Sequence, residues 1–180
     1  MKGFTCGMAF CLILLVFGKA GYAAEDAAFV DNLDVRPEVG YGYAFSKDHE
    51  RGMGYHAGVR ILSNVSSLSS ATSDKRWGIE ISSVSPFESK ESLSHKKYVA
   101  VGIMVEQTLP YQFVAAIGTL GYIGVDQNKN NPFGLLTEVG WEPKLGEHTH
   151  WFAAVRYESI YDTSTISRYS LSAGMKFTIY

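Results

Sequence analysis

Residues 168–180 read RYSLSAGMKFTIY, from Arg168 to Tyr180. Tyr169, Leu171, Ala173, Met175, Phe177 and Ile179 alternate with Arg168, Ser170, Ser172, Gly174, Lys176 and Thr178. Successive side chains of a strand point to opposite faces. One face of this segment is therefore apolar, and the other is polar or small. The first suits hydrocarbon and the second suits a polar interior, the pattern of a strand in a membrane-spanning barrel. The stretch stops on an aromatic residue, and Gly174, Phe177, Ile179 and Tyr180 are expected to form a C-terminal membrane-insertion signal.

The first 23 residues support export. Lys2 supplies a positive start, residues 10–17 (FCLILLVF) an apolar core, and Gly21 and Ala23 the small residues before a cleavage site. A signal peptide is expected at 1–23, a periplasmic lead-in at 24–34 and a barrel at 35–180. A membrane-spanning helix would need about 20 apolar residues. Cys11 follows no convincing lipobox. Cys6 and Cys11, the two cysteines of the chain, both fall in the segment to be removed. The mature protein would then have neither disulfides nor thiol chemistry.

Composition agrees. Eighteen glycines, eleven tyrosines and ten phenylalanines suit an all-β chain with aromatic girdles. Mean hydropathy is near zero, because each lipid-facing residue is averaged with a polar lumen neighbour. The formal charge is −2, and no basic excess invites nucleic acid.

The same alternation recurs along the chain. Strands are expected at 35–46, 53–62, 77–84, 97–109, 112–125, 133–142, 150–160 and from 168 onward. Charged, Ser-rich or Asn-rich segments separate them. About eight strands of roughly ten residues make the smallest common membrane barrel. The fold class is thus all-β, an antiparallel up-and-down barrel. An even strand count puts both termini on one side, with Trp77, Tyr111, Trp141, Trp151 and Tyr180 at that periplasmic rim. The inverted alternative is a soluble calyx with its apolar face around a ligand.

Parity assigns Glu38, His56, Arg60, Glu80, Glu106, Glu138, Arg156, Glu158, Arg168 and Lys176 to the lumen. Acids and bases are mixed, and a narrow interior cannot hold isolated charges, so they are expected to pair. A salt-bridged plug is expected, and the small girth argues against a diffusion pore.

Over the whole mature span the chain resembles small bacterial outer-membrane barrels. Within them its layout is similar to the lipid A 3-O-deacylase family (PagL-like, acyloxyacyl hydrolases). Three features carry this likeness. They are the polar connection after the second strand, the Gly-rich strand at 117–125, and Arg156-Tyr157-Glu158-Ser159 followed by Ser167-Arg168-Tyr169-Ser170-Leu171. That family implies a His-x-Ser pair on the penultimate strand and a Glu on the last, with the His activating the hydroxyl. Here Tyr157 stands two residues before Ser159, no His follows Trp151, and the last strand offers Arg168. No catalytic residue is carried over, and no cofactor or metal is expected. His148 and His150 read as turn residues, and Asn64-Val65-Ser66 as a chance sequon. Expected partners are outer-membrane lipid, lipopolysaccharide and the barrel assembly machinery, for a monomeric chain. The exposed loops would be 46–52, 85–96, 126–132 and 161–166. The rival functional reading is a lipid A-modifying hydrolase.

Overall fold

The structure, a computed structural model, describes residues 33–47, 51–63, 75–86, 97–125, 131–162 and 164–179. Eight strands follow one another: β1 (Leu33–Ser46), β2 (Arg51–Ser63), β3 (Lys75–Ser85), β4 (Tyr98–Thr108), β5 (Phe113–Gly124), β6 (Phe133–Trp141), β7 (Thr149–Tyr161) and β8 (Thr165–Ile179). Each pairs antiparallel with the next, and β8 pairs with β1 to close the barrel. The expected signal peptide, Tyr180 and the Asn64 sequon lie outside the described residues.

Period-two alternation governs nearly every strand. In β1 and β6 the outward and inward positions switch between exposed and buried without a break over most of their length. The outward face is aliphatic at mid-height, with Val39, Ile81, Val101, Ile117, Val155 and Leu171 all exposed. Aromatic side chains stand at both ends of this band. Trp77, Phe113, Trp141, Trp151 and Phe177 ring the end that carries the termini, and Tyr43, Phe45, Phe133, Tyr161 and Tyr169 ring the other, the loop end. This outward apolar face excludes the soluble calyx, whose apolar face points inward.

Several expected boundaries shift outward because the alternation runs further than its apolar members suggest. Leu33 and Asp34 belong to β1 rather than to a lead-in. Arg51 and Gly52 open β2, and Tyr161, Thr165 and Ile166 lie in strands rather than in a loop. Ser46, Ser63, Lys75, Ser85 and Thr149 are likewise strand residues. The turn between β4 and β5 passes through Tyr111 and Gln112 at φ 62° and 67°. That left-handed region is uncommon for residues with a side chain. The Leu109 amide closes the turn by donating to the Phe113 carbonyl at 2.7 Å.

The lumen is less uniformly polar than parity with charged residues implied. Ala44, Val84, Tyr98, Tyr122, Ile160 and Ile166 are essentially inaccessible and pack together at the loop end. The Tyr98 and Tyr122 rings meet edge to face, with centroids 5.8 Å apart. Tyr98 donates its hydroxyl to Asp162 Oδ2 at 3.1 Å, fastening this apolar cap to the β7–β8 turn.

Closure between β1 and β8 depends on a small residue at Gly174, which pairs with Glu38 across the seam. A Cβ there would collide with the Pro37 carbonyl oxygen and press on Glu38 Cα and Cβ at 3.1 Å. Gly174→Val is expected to cost roughly 1–3 kcal/mol or more, as overpacking does. Loss of the compact, heat-modifiable band on unboiled gels after refolding in detergent would register it; an unchanged band would contradict the close approach.

Candidate functional site: the charged lumen

Inward positions bring seven acids (Asp34, Glu38, Glu80, Glu106, Glu138, Glu142 and Glu158) together with Arg36, Arg60, Arg76, Arg156, Arg168, Lys176 and His56, all buried. Strand register makes the first pairings. Arg60 lies opposite Glu80, Arg76 opposite Glu106, and Glu158 opposite Arg168. Longer reaches across the lumen make the rest.

Arg60 is the hub. Its two terminal nitrogens grip Glu138 through both carboxylate oxygens, at 2.5 and 2.6 Å. Nη2 also lies 2.9 Å from Glu38 Oε1, and Nε donates to Glu80 Oε2 at 3.0 Å. This two-pronged grip is the geometry for which a planar guanidinium is suited and an ammonium is not. Arg156 donates to both oxygens of Glu80, at 3.0 and 2.7 Å, and to Glu158 Oε1 at 2.6 Å. Glu80 is further held by the Ser82 hydroxyl at 2.9 Å.

Toward the loop end, Arg168 donates to Glu158 Oε2 and to His56 Nδ1, each at 2.5 Å. A guanidinium has no acceptor. His56 Nδ1 therefore accepts, and the ring proton sits on Nε2, facing Ser172 Oγ at 3.4 Å and Glu38 Oε1 at 3.6 Å. Gly40 makes room for this ring, since a Cβ there would fall inside it. Tyr122 donates to Glu158 Oε1 at 3.2 Å, where the network meets the apolar cap.

Toward the terminal end, Arg36 stacks over the Phe152 ring at 3.8 Å and lies 2.8 Å from Glu106 Oε2. It sits directly opposite Arg60 in the β1–β2 register. Two like charges so placed repel, and Glu38 and Glu138, each within 3.5 Å of both, hold them together. Arg76 joins Asp34 at 2.6 Å and also pairs with Glu106, while Lys176 pairs with Glu142. Thr178 donates to Asp34 Oδ1 at 2.6 Å. A continuous chain of charged contacts thus runs from His56 to Lys176.

All ten lumen residues expected from the sequence face inward and are buried. Asp34, Arg36, Arg76 and Glu142 were not foreseen. Parity alone could have found them: Arg36 and Asp34 lie two and four residues before Glu38, and Glu142 lies four after Glu138. Asp34 and Arg76 lie just outside the expected strands 35–46 and 77–84, whereas Arg36 and Glu142 lie at inward positions within the expected strands 35–46 and 133–142.

The outer wall near β7 and β8 carries the other candidate, Ser159. Ser159 holds an outward position by parity, in register with Leu135 and Ser167, but its side chain is buried within the wall. His56 is on the opposite side of the wall, in the lumen, and His148 and His150 belong to the other end of the barrel. Among the described residues no group of three or more His, Cys, Asp or Glu is disposed to hold a metal ion.

Removing the hub arginine would leave Glu38, Glu80 and Glu138 short of positive charge in a dry interior. Arg60→Met is expected to destabilise the barrel by about 3–5 kcal/mol, the usual cost of stranding buried partners. Urea unfolding in lipid vesicles measures it, and a loss below about 1 kcal/mol, as for an exposed pair, would mean that the network is hydrated.

Neither a protein-family model nor a curated protein sequence matches the chain. Solved structures do. Neisserial surface protein A superposes with a TM-score of 0.61 at 13% identity, over 81% of this chain and 96% of that one. The outer membrane protein OprG from Pseudomonas aeruginosa gives 0.50 at 13% identity, over 84% and 97%. At such identities the likeness shows the fold, a closed eight-stranded barrel of the outer-membrane type.

Proposed function

We propose that this chain is a non-catalytic barrel of the bacterial outer membrane with a structural or surface-interaction role. The buried network from His56 to Lys176, sealed at the loop end by Ile160, Ile166 and Tyr98, carries this reading. It leaves the interior to side chains rather than to a solute. Eight strands give an interior just wide enough for side chains to fill.

An outward apolar band flanked by two aromatic rings supports membrane insertion. The barrel would be exported by its N-terminal segment, inserted by the barrel assembly machinery as a monomer, and bathed in lipopolysaccharide at its loop end. The loops at that end would meet external partners.

A lipid A hydrolase would need a base beside its nucleophile. Around Ser159 the neighbouring outward side chains are Tyr157, Ser167, Tyr169 and Leu135, none of which serves as one near neutral pH.

Two measurements test the reading. In planar bilayers the purified barrel is expected to give no steady porin-like conductance; stable open steps would overturn the plugged lumen. Mass spectrometry of lipid A from overexpressing cells is expected to show an unchanged acyl pattern, and a missing acyl chain would favour the hydrolase.

A further inference from the structure

The lumen holds its arginines unevenly. Arg60 is gripped by Glu38, Glu80 and Glu138, and Arg156 by Glu38, Glu80 and Glu158. Arg168 is held differently. One terminal nitrogen meets Glu158, the other meets the ring of His56, and Nε has no hydrogen-bond partner among the described residues. A single imidazole nitrogen therefore supplies half of what fixes this buried guanidinium.

His56 is surrounded by charge. Glu38 of β1 lies 3.6 Å from Nε2, and Gly40 of β1 leaves room for the ring. From β7, Glu158 and Arg156 act on it, and from β8, Arg168 and the Ser172 hydroxyl. Its own strand carries Arg60 four residues on, and β3 sets the apolar Val84 opposite, with Glu80 four residues before. Glu38 and Glu158 attract a charged ring, while Arg168 and Arg156 repel it. Nε2 already bears the ring proton, so a second proton can enter only at Nδ1. That atom is the acceptor for Arg168, and two donors cannot share it. Proton uptake and withdrawal of Arg168 are thus one coupled event.

The withdrawn guanidinium has acceptors within reach of its strand. Ser170 Oγ, at the next inward position of β8, and Ser46 Oγ, two residues beyond Ala44 on β1, are buried without a hydrogen-bond partner among the described residues. The apolar cap stands at the same level. Ala44 is in register with Arg168, Val84 with His56, and Ile166 with Ser46. A guanidinium that turns toward Ser46 pushes between Ala44 and Ile166, and the seal at the loop end loosens.

We propose that His56 and Arg168 form an acid-released latch: a proton at His56 Nδ1 frees Arg168, turns it toward the Ser46 and Ser170 hydroxyls, and admits water through the loop-end cap. Imidazole suits the role, as the side chain that ordinarily changes charge between about pH 5 and pH 8. The latch rests on the plugged lumen proposed above and adds a condition under which one end of the plug loosens. The middle, where Arg60 grips Glu138, stays closed.

NMR of the refolded, nitrogen-15-labelled barrel at about pH 7.5 and about pH 5 tests it, across the span in which imidazole titrates. The His56 ring is expected to pass from neutral to imidazolium. Protection of the Arg168 Nε–H from solvent exchange, relative to the exposed Arg51, is expected to fall about tenfold or more, the weight of one charge-assisted hydrogen bond. Arg60 is expected to stay protected throughout. His56→Gln keeps an acceptor for Arg168 but cannot titrate, and its Arg168 is expected to stay protected at both pH values. A ring that remains neutral in acid, an Arg168 that does not follow the ring, or an equal fall in His56→Gln would each overturn the latch. So would a parallel fall at Arg60, which marks general loosening. If His56→Gln does not refold, Ser46→Ala/Ser170→Ala removes the waiting acceptors and is expected to need a lower pH for release; an unchanged midpoint overturns the proposal. Fast exchange at Arg168 already near neutral pH would instead overturn the plugged lumen.

Discussion

A closed barrel of eight strands has an interior that must be filled, and here it is filled largely with ions. Thirteen acids and cations, together with His56, are buried where water has little access. Desolvating each would cost several kcal/mol, and only dense mutual pairing offsets this. The rest of the structure is arranged around that requirement. Carboxylates are shared: Glu80 serves Arg60 and Arg156, Glu158 serves Arg156 and Arg168, and Glu138 serves Arg60 and Arg36. Sharing links strands that are not neighbours, so the network ties β2 to β6 and β3 to β7 through the lumen, independently of the hydrogen-bonded wall.

The apolar cap completes the interior. Ile160, Ile166, Val84 and Ala44 occupy inward positions toward the loops, with Ala44 in register with Arg168 and Val84 with His56. Their presence keeps bulk water from the loop end, which strengthens each pair below it. Tyr122 and Tyr98 form the boundary: one hydroxyl joins Glu158 and the other joins Asp162 of the β7–β8 turn. At the terminal end the seal is ionic instead, through Lys176, Glu142, Arg76 and Asp34.

Much of this was legible in the chain itself. The alternation of Tyr169 to Ile179 reports one strand, and its repetition reports the barrel, because period two is a local property of extended backbone. The inward direction of Glu38, Arg60 and Glu158 follows from the same parity. Partner choice does not. Arg156 lies opposite Glu138 in register yet binds Glu80 and Glu158, since long side chains reach across a narrow lumen. Strand ends were also opaque where charged residues such as Asp34 and Arg76 continue the pattern without apolar companions.

The central claim is that the guanidinium groups of the lumen are dry and fixed by carboxylates. NMR of the refolded barrel in micelles tests it most directly, through solvent exchange and aqueous paramagnetic relaxation at the arginine Nε–H groups. Protected, weakly relaxed signals from Arg60, Arg156 and Arg168, set against fast exchange at the exposed Arg51, are the predicted result. Exchange at the lumen arginines as fast as at Arg51 would contradict it, and would describe a water-filled channel instead.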